Sequence, residues 1–223
     1  MTTAILFDTE VNSLDAKECI ELAMAAVHVS DTGVTIEDPS VERFEPKAPC
    51  DAATVAVHHI DPESLKGCRP SLEANVGQPE YVIGHNVDFD CEVIGDMAAK
   101  RICTLALSRY LWPQFKSHKL SALYLELNGI NGDTIAVIKH AHAADADVKI
   151  LASIFQRIWQ ESKVSSMKSL HSLSETARVP KVWPFGKHMG IRFQDTPRDY
   201  IKWAINNMKD IDPYLMKALK AVK

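Results

Sequence analysis

Ala4-Ile5-Leu6-Phe7-Asp8-Thr9-Glu10 is the stretch whose reading decides the fold: an apolar run that ends on two acids two residues apart. Such a run bounded by polar residues has the pattern of a buried β-strand. Strands alternate their side chains, so Asp8 and Glu10 share a face. Neighbouring carboxylates repel and are costly to desolvate unless a cation or protons neutralise them. A divalent cation with a preference for oxygen ligands, Mg²⁺ or Mn²⁺, is the economical resolution, and two acids at a strand end can hold one ion or help bridge two.

Two further segments supply acids for the same purpose. Tyr81-Val82-Ile83-Gly84-His85-Asn86, followed by Val87-Asp88-Phe89-Asp90, reads as a strand, a polar turn and a helix start. On a 3.6-residue period Asp90 aligns with Val93, Ile94 and Met97, while Glu92 lies about 200° away, toward solvent. The segment His140-Ala141-His142-Ala143-Ala144-Asp145-Ala146-Asp147 leads into the helical pattern Val148 to Trp159. There Asp147 falls on the stripe of Leu151, Ile154 and Ile158, with Asp145 roughly 160° away. Three elements thus deliver inward acids, each costing several kcal/mol if left unpartnered, and together they point to one shared cation site. Singly, each has a plain structural explanation: a solvated loop for Asp8 and Glu10, a helix-dipole contact for Asp90 and Asp147, turn hydrogen bonds for His85 and Asn86.

With these residues in place the chain resembles the DnaQ-like 3′ to 5′ exonucleases, in the DEDDh branch whose four acids are accompanied by a histidine. Asp8-Thr9-Glu10 is similar to the first motif of that family, His85-Asn86-Val87-Asp88-Phe89-Asp90 to the second, and His142-Ala143-Ala144-Asp145-Ala146-Asp147 to the His-x-Ala-x-x-Asp third. Within the family, Ile102-Cys103-Thr104, Leu111-Trp112-Pro113 and Phe185-Gly186-Lys187-His188-Met189-Gly190 resemble the exodeoxyribonuclease X type, and the likeness runs nearly the full length. Three motifs in order are specific where any one alone is weak.

The resemblance implies two-metal-ion phosphodiester hydrolysis at DNA 3′ ends, releasing nucleoside 5′-monophosphates. Asp8, Glu10, Asp90 and Asp147 would hold two Mg²⁺ or Mn²⁺ ions, and His142 would be the general base, a task suited to a group that titrates near neutrality. On a continuous helix His142 would lie about 140° from Asp147, so it is expected to project from the preceding loop. His140 paired with Asp145 keeps the same five-residue spacing and is the rival register. Nucleic-acid contacts are implied for Thr9, Asn86 and Phe89 of the motifs, for Leu14 as an apolar contact to the terminal bases, and for His58. His58 belongs to Ala56-Val57-His58-His59-Ile60, which resembles the family's Val-His-Gly-Ile segment with His59 in place of glycine. The family's Thr-Gly-Leu after the first motif is Val11-Asn12-Ser13-Leu14 here, so Asn12 or Ser13 must manage the bend.

Composition agrees with a globular protein: 223 residues, 46% hydrophobic, no long membrane-type apolar segment. The N-terminus lacks a signal-peptide pattern, which places the expectation in the cytoplasm. Five scattered cysteines, Cys19, Cys50, Cys68, Cys91 and Cys103, have no zinc spacing and are expected to be reduced. The net charge of -4 divides sharply: residues 1–160 hold 13 Lys and Arg against 23 Asp and Glu, while residues 161–223 hold 12 against 6. The acidic part carries the candidate ligands, and the basic part offers attraction for phosphate.

The expected architecture is an RNase H-like α/β domain over residues 1–160, with a mixed central sheet flanked by helices and strands near 4–8, 19–29, 33–45, 80–84 and Ile102. A small basic α/β domain, 161–223, follows as a possible DNA-binding accessory. Its segment Val179 to Phe193 alternates aromatic, basic and glycine residues like a hairpin. There Lys187, His188 and Arg192 are phosphate candidates and Trp183 or Phe185 a base-stacking ring, with core packing as the plainer role. Thr196-Pro197 and Asp212-Pro213 each read as an N-cap followed by proline at the first helical position. An exoribonuclease and a catalytically inactive nucleic-acid-binding module remain the alternative functions.

Overall fold

In the computed structural model, which describes residues 3–30, 33–95, 97–139, 144–209 and 211–222, the N-terminal apolar run is the middle of a mixed sheet. Strands β1 (Ala4–Val11), β2 (Cys19–Ser30), β3 (Gly33–Ile36) and β4 (Ser40–Glu45) come first, then helix α1 (Ala52–His58), β5 (Arg69–Pro70), β6 (Tyr81–Gly84), α2 (Val87–Ile94) and β7 (Lys100–Cys103). Helices α3 (Thr104–Leu111), α4 (Leu120–Asn128), α5 (Gly132–Ile138), α6 (Ala144–Ser162), α7 (Met167–Arg178), α8 (Arg198–Asn207) and α9 (Pro213–Lys220) complete the chain.

The strand order is β5-β4-β2-β1-β6-β7, with β3 also paired to β2. β1 is antiparallel to β2 and parallel to β6, which is parallel to β7. Flanked on both sides, β1 buries Leu6 and Phe7 completely, as a central strand with an uninterrupted apolar run does. The strand expected over 33–45 is divided into β3 and β4, both antiparallel to β2 and pairing with successive stretches of it. The break falls at Glu37-Asp38-Pro39, where proline offers no N–H to the ladder. The two-residue β5, parallel to β4, was not expected from sequence; it is too short to carry a period.

Helix α6 packs on β1 and β2 and buries Asp147, Val148, Leu151, Ile154, Phe155 and Ile158. At the other end of β6, Gly84 makes the turn into α2: a Cβ there would lie 3.1–3.2 Å from Val87. Helix α2 ends at Ile94 against Gly95 in the left-handed region, so Met97 lies beyond it rather than on its inner stripe.

His59, the residue standing at the family's glycine, closes α1 in the left-handed conformation with φ 57° and ψ 18°. For a residue with a Cβ this conformation costs about 1–2 kcal/mol. His59→Gly is therefore expected to raise unfolding stability by about 1 kcal/mol in thermal melts; a neutral or destabilising result would show that the His59 side chain offsets its own backbone cost.

The chain divides into two compact units, Met1–Ser174 and Glu175–Lys223, so the division falls within α7 and not at the polar stretch near residue 161. The reason is that Met167 and Leu170 are buried and the Ser174 hydroxyl accepts the Cys103 N–H at 2.9 Å, which keeps the first part of α7 in the sheet-bearing unit.

The C-terminal unit packs Trp183, Phe193, Ile201, Ala204, Leu215, Ala218 and Leu219 into its own core. The hairpin expected there is reduced to one bridge, Val182 with Arg192, so the unit is built mainly of helices. Asp212 caps α9 through the N–H groups of Tyr214 and Leu215, as its Asp-Pro pattern suggests. Thr196 does not cap α8; its hydroxyl accepts the Trp183 indole N–H at 2.8 Å and donates to the Arg192 carbonyl.

Candidate metal and nucleic-acid site

Strand alternation places the Asp8 and Glu10 carboxylates on one face of β1, and the first turn of α6 brings Asp147 to them. Carboxylate oxygens of Asp8, Glu10 and Asp147 lie within 4.8 Å of one another. Asp8 and Glu10 are half-buried and Asp147 is buried. Asp145 lies toward the outside of the same helix and pairs with Lys149 at 3.1 Å.

Asp90, delivered by α2, is buried, and one of its oxygens accepts both the Thr9 N–H at 3.0 Å and the Thr9 hydroxyl at 2.8 Å. Thr9 was expected to touch nucleic acid. Its amide and hydroxyl both donate to Asp90 and so hold that carboxylate, while the hydroxyl oxygen keeps lone pairs with which to accept a hydrogen bond.

The electrostatics of this cluster follow from burial and like charge. Desolvation, followed by repulsion from Asp90, Asp147, Glu10 and Glu21, holds the Asp8 carboxyl well above the usual carboxylate range. Glu10 is pushed up to about 8 by burial, then by Asp147, Glu21 and Asp90. Asp90 is raised to about 7 by burial, against the lowering effect of its Thr9 hydrogen bonds. Three convergent oxygen donors that resist ionisation in one another's company form a donor set suited to a hard divalent cation.

His58, at the end of α1, is 5% exposed. Its Nδ1 accepts the Ile60 N–H at 2.9 Å, which leaves the proton on Nε2, and that buried atom has no hydrogen-bond partner among the described residues. Burial lowers its basicity, so it stays a neutral donor. Leu14 is exposed, Asn86 is exposed in the left-handed region with φ 75°, and Phe89 is half-buried with the Lys17 ammonium 5.9 Å from its ring centre. His142, like His140, lies outside the described residues.

In the C-terminal unit Lys187 is exposed, and Arg192 is exposed with its Nε on Asp195 at 2.7 Å. Trp183 is 1% exposed at the centre of the unit's core, so it cannot stack on a base, whereas Phe185 remains exposed. Lys217 and Lys220 point to solvent, opposite buried Leu215, Ala218 and Leu219.

Of the residues that hold the site, Glu21 escaped the sequence reading, and Asn12 is one of the two expected to manage the bend after the first motif. Asn12, fully buried, manages the bend after β1: its side chain accepts the Glu18 N–H and donates to Glu18 and to the Ala48 carbonyl, and its own carbonyl accepts from the Asp51 N–H and the Thr54 hydroxyl. Glu21 sits opposite Glu10 in the β1–β2 register and is paired with Arg43. A lone acid inside the apolar run Cys19 to Met24 was the available signal for Glu21. The cysteines are all free; Cys19 is buried beside the acids and its thiol is pushed up to about 12, mainly by burial, which leaves it inert as a nucleophile.

No protein-family model matches the chain. Exodeoxyribonuclease 10 of Escherichia coli K12 is 29% identical over 226 residues, covering 96% of each protein. The PolC-type DNA polymerase III of Lacticaseibacillus paracasei is 26% identical over 186 residues, covering 77% of this chain and 12% of the polymerase. Among solved structures, exonuclease X in complex with 5′ overhanging duplex DNA superposes with a TM-score of 0.60 at 24% identity, over 77% of this chain and 99% of that one. E. coli exonuclease I in its zinc-bound complex with single-stranded DNA gives 0.54 at 18% identity, over 80% of this chain and 43% of that one. The fold is thus that of the exonuclease type of RNase H-like domain. Among the described residues no helix is long and apolar enough to cross a membrane.

Proposed function

We propose that this chain, which belongs to the DnaQ-like exonuclease family, is a cytoplasmic, metal-dependent 3′ to 5′ exodeoxyribonuclease. The observation that carries the reading is the convergence of Asp8, Glu10 and Asp147 within 4.8 Å, from a strand and a helix 137 residues apart in sequence at their nearest ligands. The near full-length relation to exodeoxyribonuclease 10 supports DNA as the substrate.

Asp8, Glu10, Asp147 and the Thr9-held Asp90 would hold two Mg²⁺ or Mn²⁺ ions, which when bound supply charge stabilisation at the attacking and leaving oxygens. His142 takes the proton from the attacking water. The water oxygen forms a bond to phosphorus as the bond to the 3′-oxygen of the preceding nucleotide breaks. That 3′-oxygen takes up a proton, and the terminal residue leaves as a nucleoside 5′-monophosphate.

The orphaned Nε2–H of His58 donates to a phosphate oxygen near the centre, satisfying a buried donor that the described protein leaves unpaired. Leu14, Asn86 and Phe89 contact the terminal nucleotides. Lys187, Arg192 and Phe185 of the basic C-terminal unit add sequence-independent affinity for the strand.

The test is digestion of 5′-labelled DNA and RNA oligomers of identical sequence, as single strands and as blunt duplexes, with Mg²⁺, Mn²⁺ or EDTA. A metal-dependent ladder shortening from the DNA 3′ end, with His142→Ala slower by about 10²–10⁴-fold, is the expected result. Preference for the RNA strand would make the protein an exoribonuclease, and tight binding without cleavage would make it a nucleic-acid-binding module.

A further inference from the structure

We propose that Glu21 is a positioning residue that pins the first turn of α6 to the sheet and thereby fixes Asp147 against Asp8 and Glu10. This rests on the metal-dependent reading of the site. The Glu21 side chain is 4% exposed, and both of its oxygens are engaged. Oε1 accepts the N–H of Ala144 at 3.0 Å, across 123 residues of sequence, and Oε2 accepts the Arg43 Nε at 2.7 Å.

Ala144 opens α6, so its N–H is one of the four amides that a helix cannot satisfy internally. A carboxylate at that end also complements the helix dipole. Asp147 lies three residues further on, about 4.5 Å along the helix axis, so a shift of the anchored amide is passed directly to its carboxylate. Farther along, α6 is held by the apolar packing of Val148, Leu151 and Phe155, which resists separation from the sheet far better than sliding or rotation of the end turn.

The location is also electrostatically expensive. Glu21 faces Glu10 directly in the strand register and adds to the repulsion felt by Asp8 and Glu10. A buried acid in that position needs a reason, and the geometry supplies one: on the described residues its two oxygens tie a β4 guanidinium and a helix terminus to β2.

The role requires reach and an acceptor oxygen, not negative charge, which separates two conservative variants. Glu21→Gln keeps one oxygen for the Ala144 N–H and turns its NH2 toward Arg43, whose half-exposed guanidinium takes water as its partner instead. Glu21→Asp keeps the charge but is one methylene too short. In the full-length protein, Gln is expected to retain kcat within about threefold, while Asp lowers kcat by about 10–100-fold and raises the half-saturating Mn²⁺ concentration by about tenfold, the usual penalty for losing a group that orients a ligand. KM for the oligomer stays level in both. Amide hydrogen exchange in the first turn of α6 is expected to accelerate in Asp and not in Gln, with the rest of α6 protected in both.

The reverse ranking, with Asp active and Gln impaired, would make Glu21 a charge contributor and overturn the proposal, as would unchanged exchange and kcat in Glu21→Asp. Failure of the wild type to cleave DNA with any metal would instead remove the catalytic reading, while the exchange measurement would still decide whether Glu21 anchors α6.

Discussion

Asp8→Asn is expected to abolish cleavage, by on the order of a thousandfold or more, and at the same time to make the metal-free protein more stable. The two effects share one cause. Asp8 is placed where burial and four neighbouring carboxylates all oppose its ionisation. Substitution by an isosteric amide removes one charge from the cluster and leaves the packing of β1 intact. Relief of that repulsion is worth roughly 1–3 kcal/mol at pH 8 in EDTA, a shift of about 2–4 °C in Tm per kcal/mol for a domain of this size. Cleavage is lost because the oxygen that would bind the cation is replaced by a group that binds it poorly. Parallel melts and 5′-label assays check both halves; a variant that melts lower in EDTA, or that still cleaves, would show that Asp8 is a structural acid.

The second large effect is a pH-dependent exchange of protons for metal. Glu10 at about 8 and Asp90 at about 7 hold protons in the folded protein that they release in the unfolded chain near pH 4. Between those limits the folded state binds more protons than the unfolded state, so stability falls as pH rises. In EDTA the contribution of this cluster is fully present below about pH 4 and is lost by about pH 8. Divalent cations bind the ionised form, so their apparent affinity rises over the same window and binding releases protons. Mn²⁺ at 100 times its Kd adds about 2.7 kcal/mol. The Tm difference between Mn²⁺ and EDTA is therefore expected to widen from pH 6 to pH 8.5, and calorimetry in buffers of different ionisation heat is expected to count released protons at the lower pH. A difference that stays constant with pH would mean that the acids are already ionised without metal.

What could be read in the sequence was local and periodic. The two-residue period of β1 puts Asp8 and Glu10 together, and the 3.6-residue period of α6 puts Asp147 on the buried stripe with Asp145 outside; both placements depend on backbone geometry alone. The central sheet was legible for the same reason, since β1, β2 and β6 carry runs long enough to show their pattern.

What could not be read was non-local. The Glu21 bond to Ala144 joins residues 123 apart, and the Asn12 hub joins β1 to the segments at Ala48 and Asp51. No window of sequence contains both partners of either contact. Trp183 is ambiguous for a different reason: an aromatic ring among lysines and glycines has the composition of a stacking platform, and only the surrounding Phe193, Tyr200 and Thr196 turn it inward. The hairpin pattern from Val179 to Phe193 shrinks to one bridge because Gly186 and Gly190, both at positive φ, curl the chain back on itself before a ladder can form.

The most direct measurement is anomalous diffraction from crystals of the protein soaked in Mn²⁺ near pH 8. The account predicts a manganese peak within coordination distance of Asp8, Glu10 and Asp147, lost in Asp8→Asn. A peak elsewhere, or none at this cluster in crystals of a protein whose cleavage depends on Mn²⁺, would contradict it.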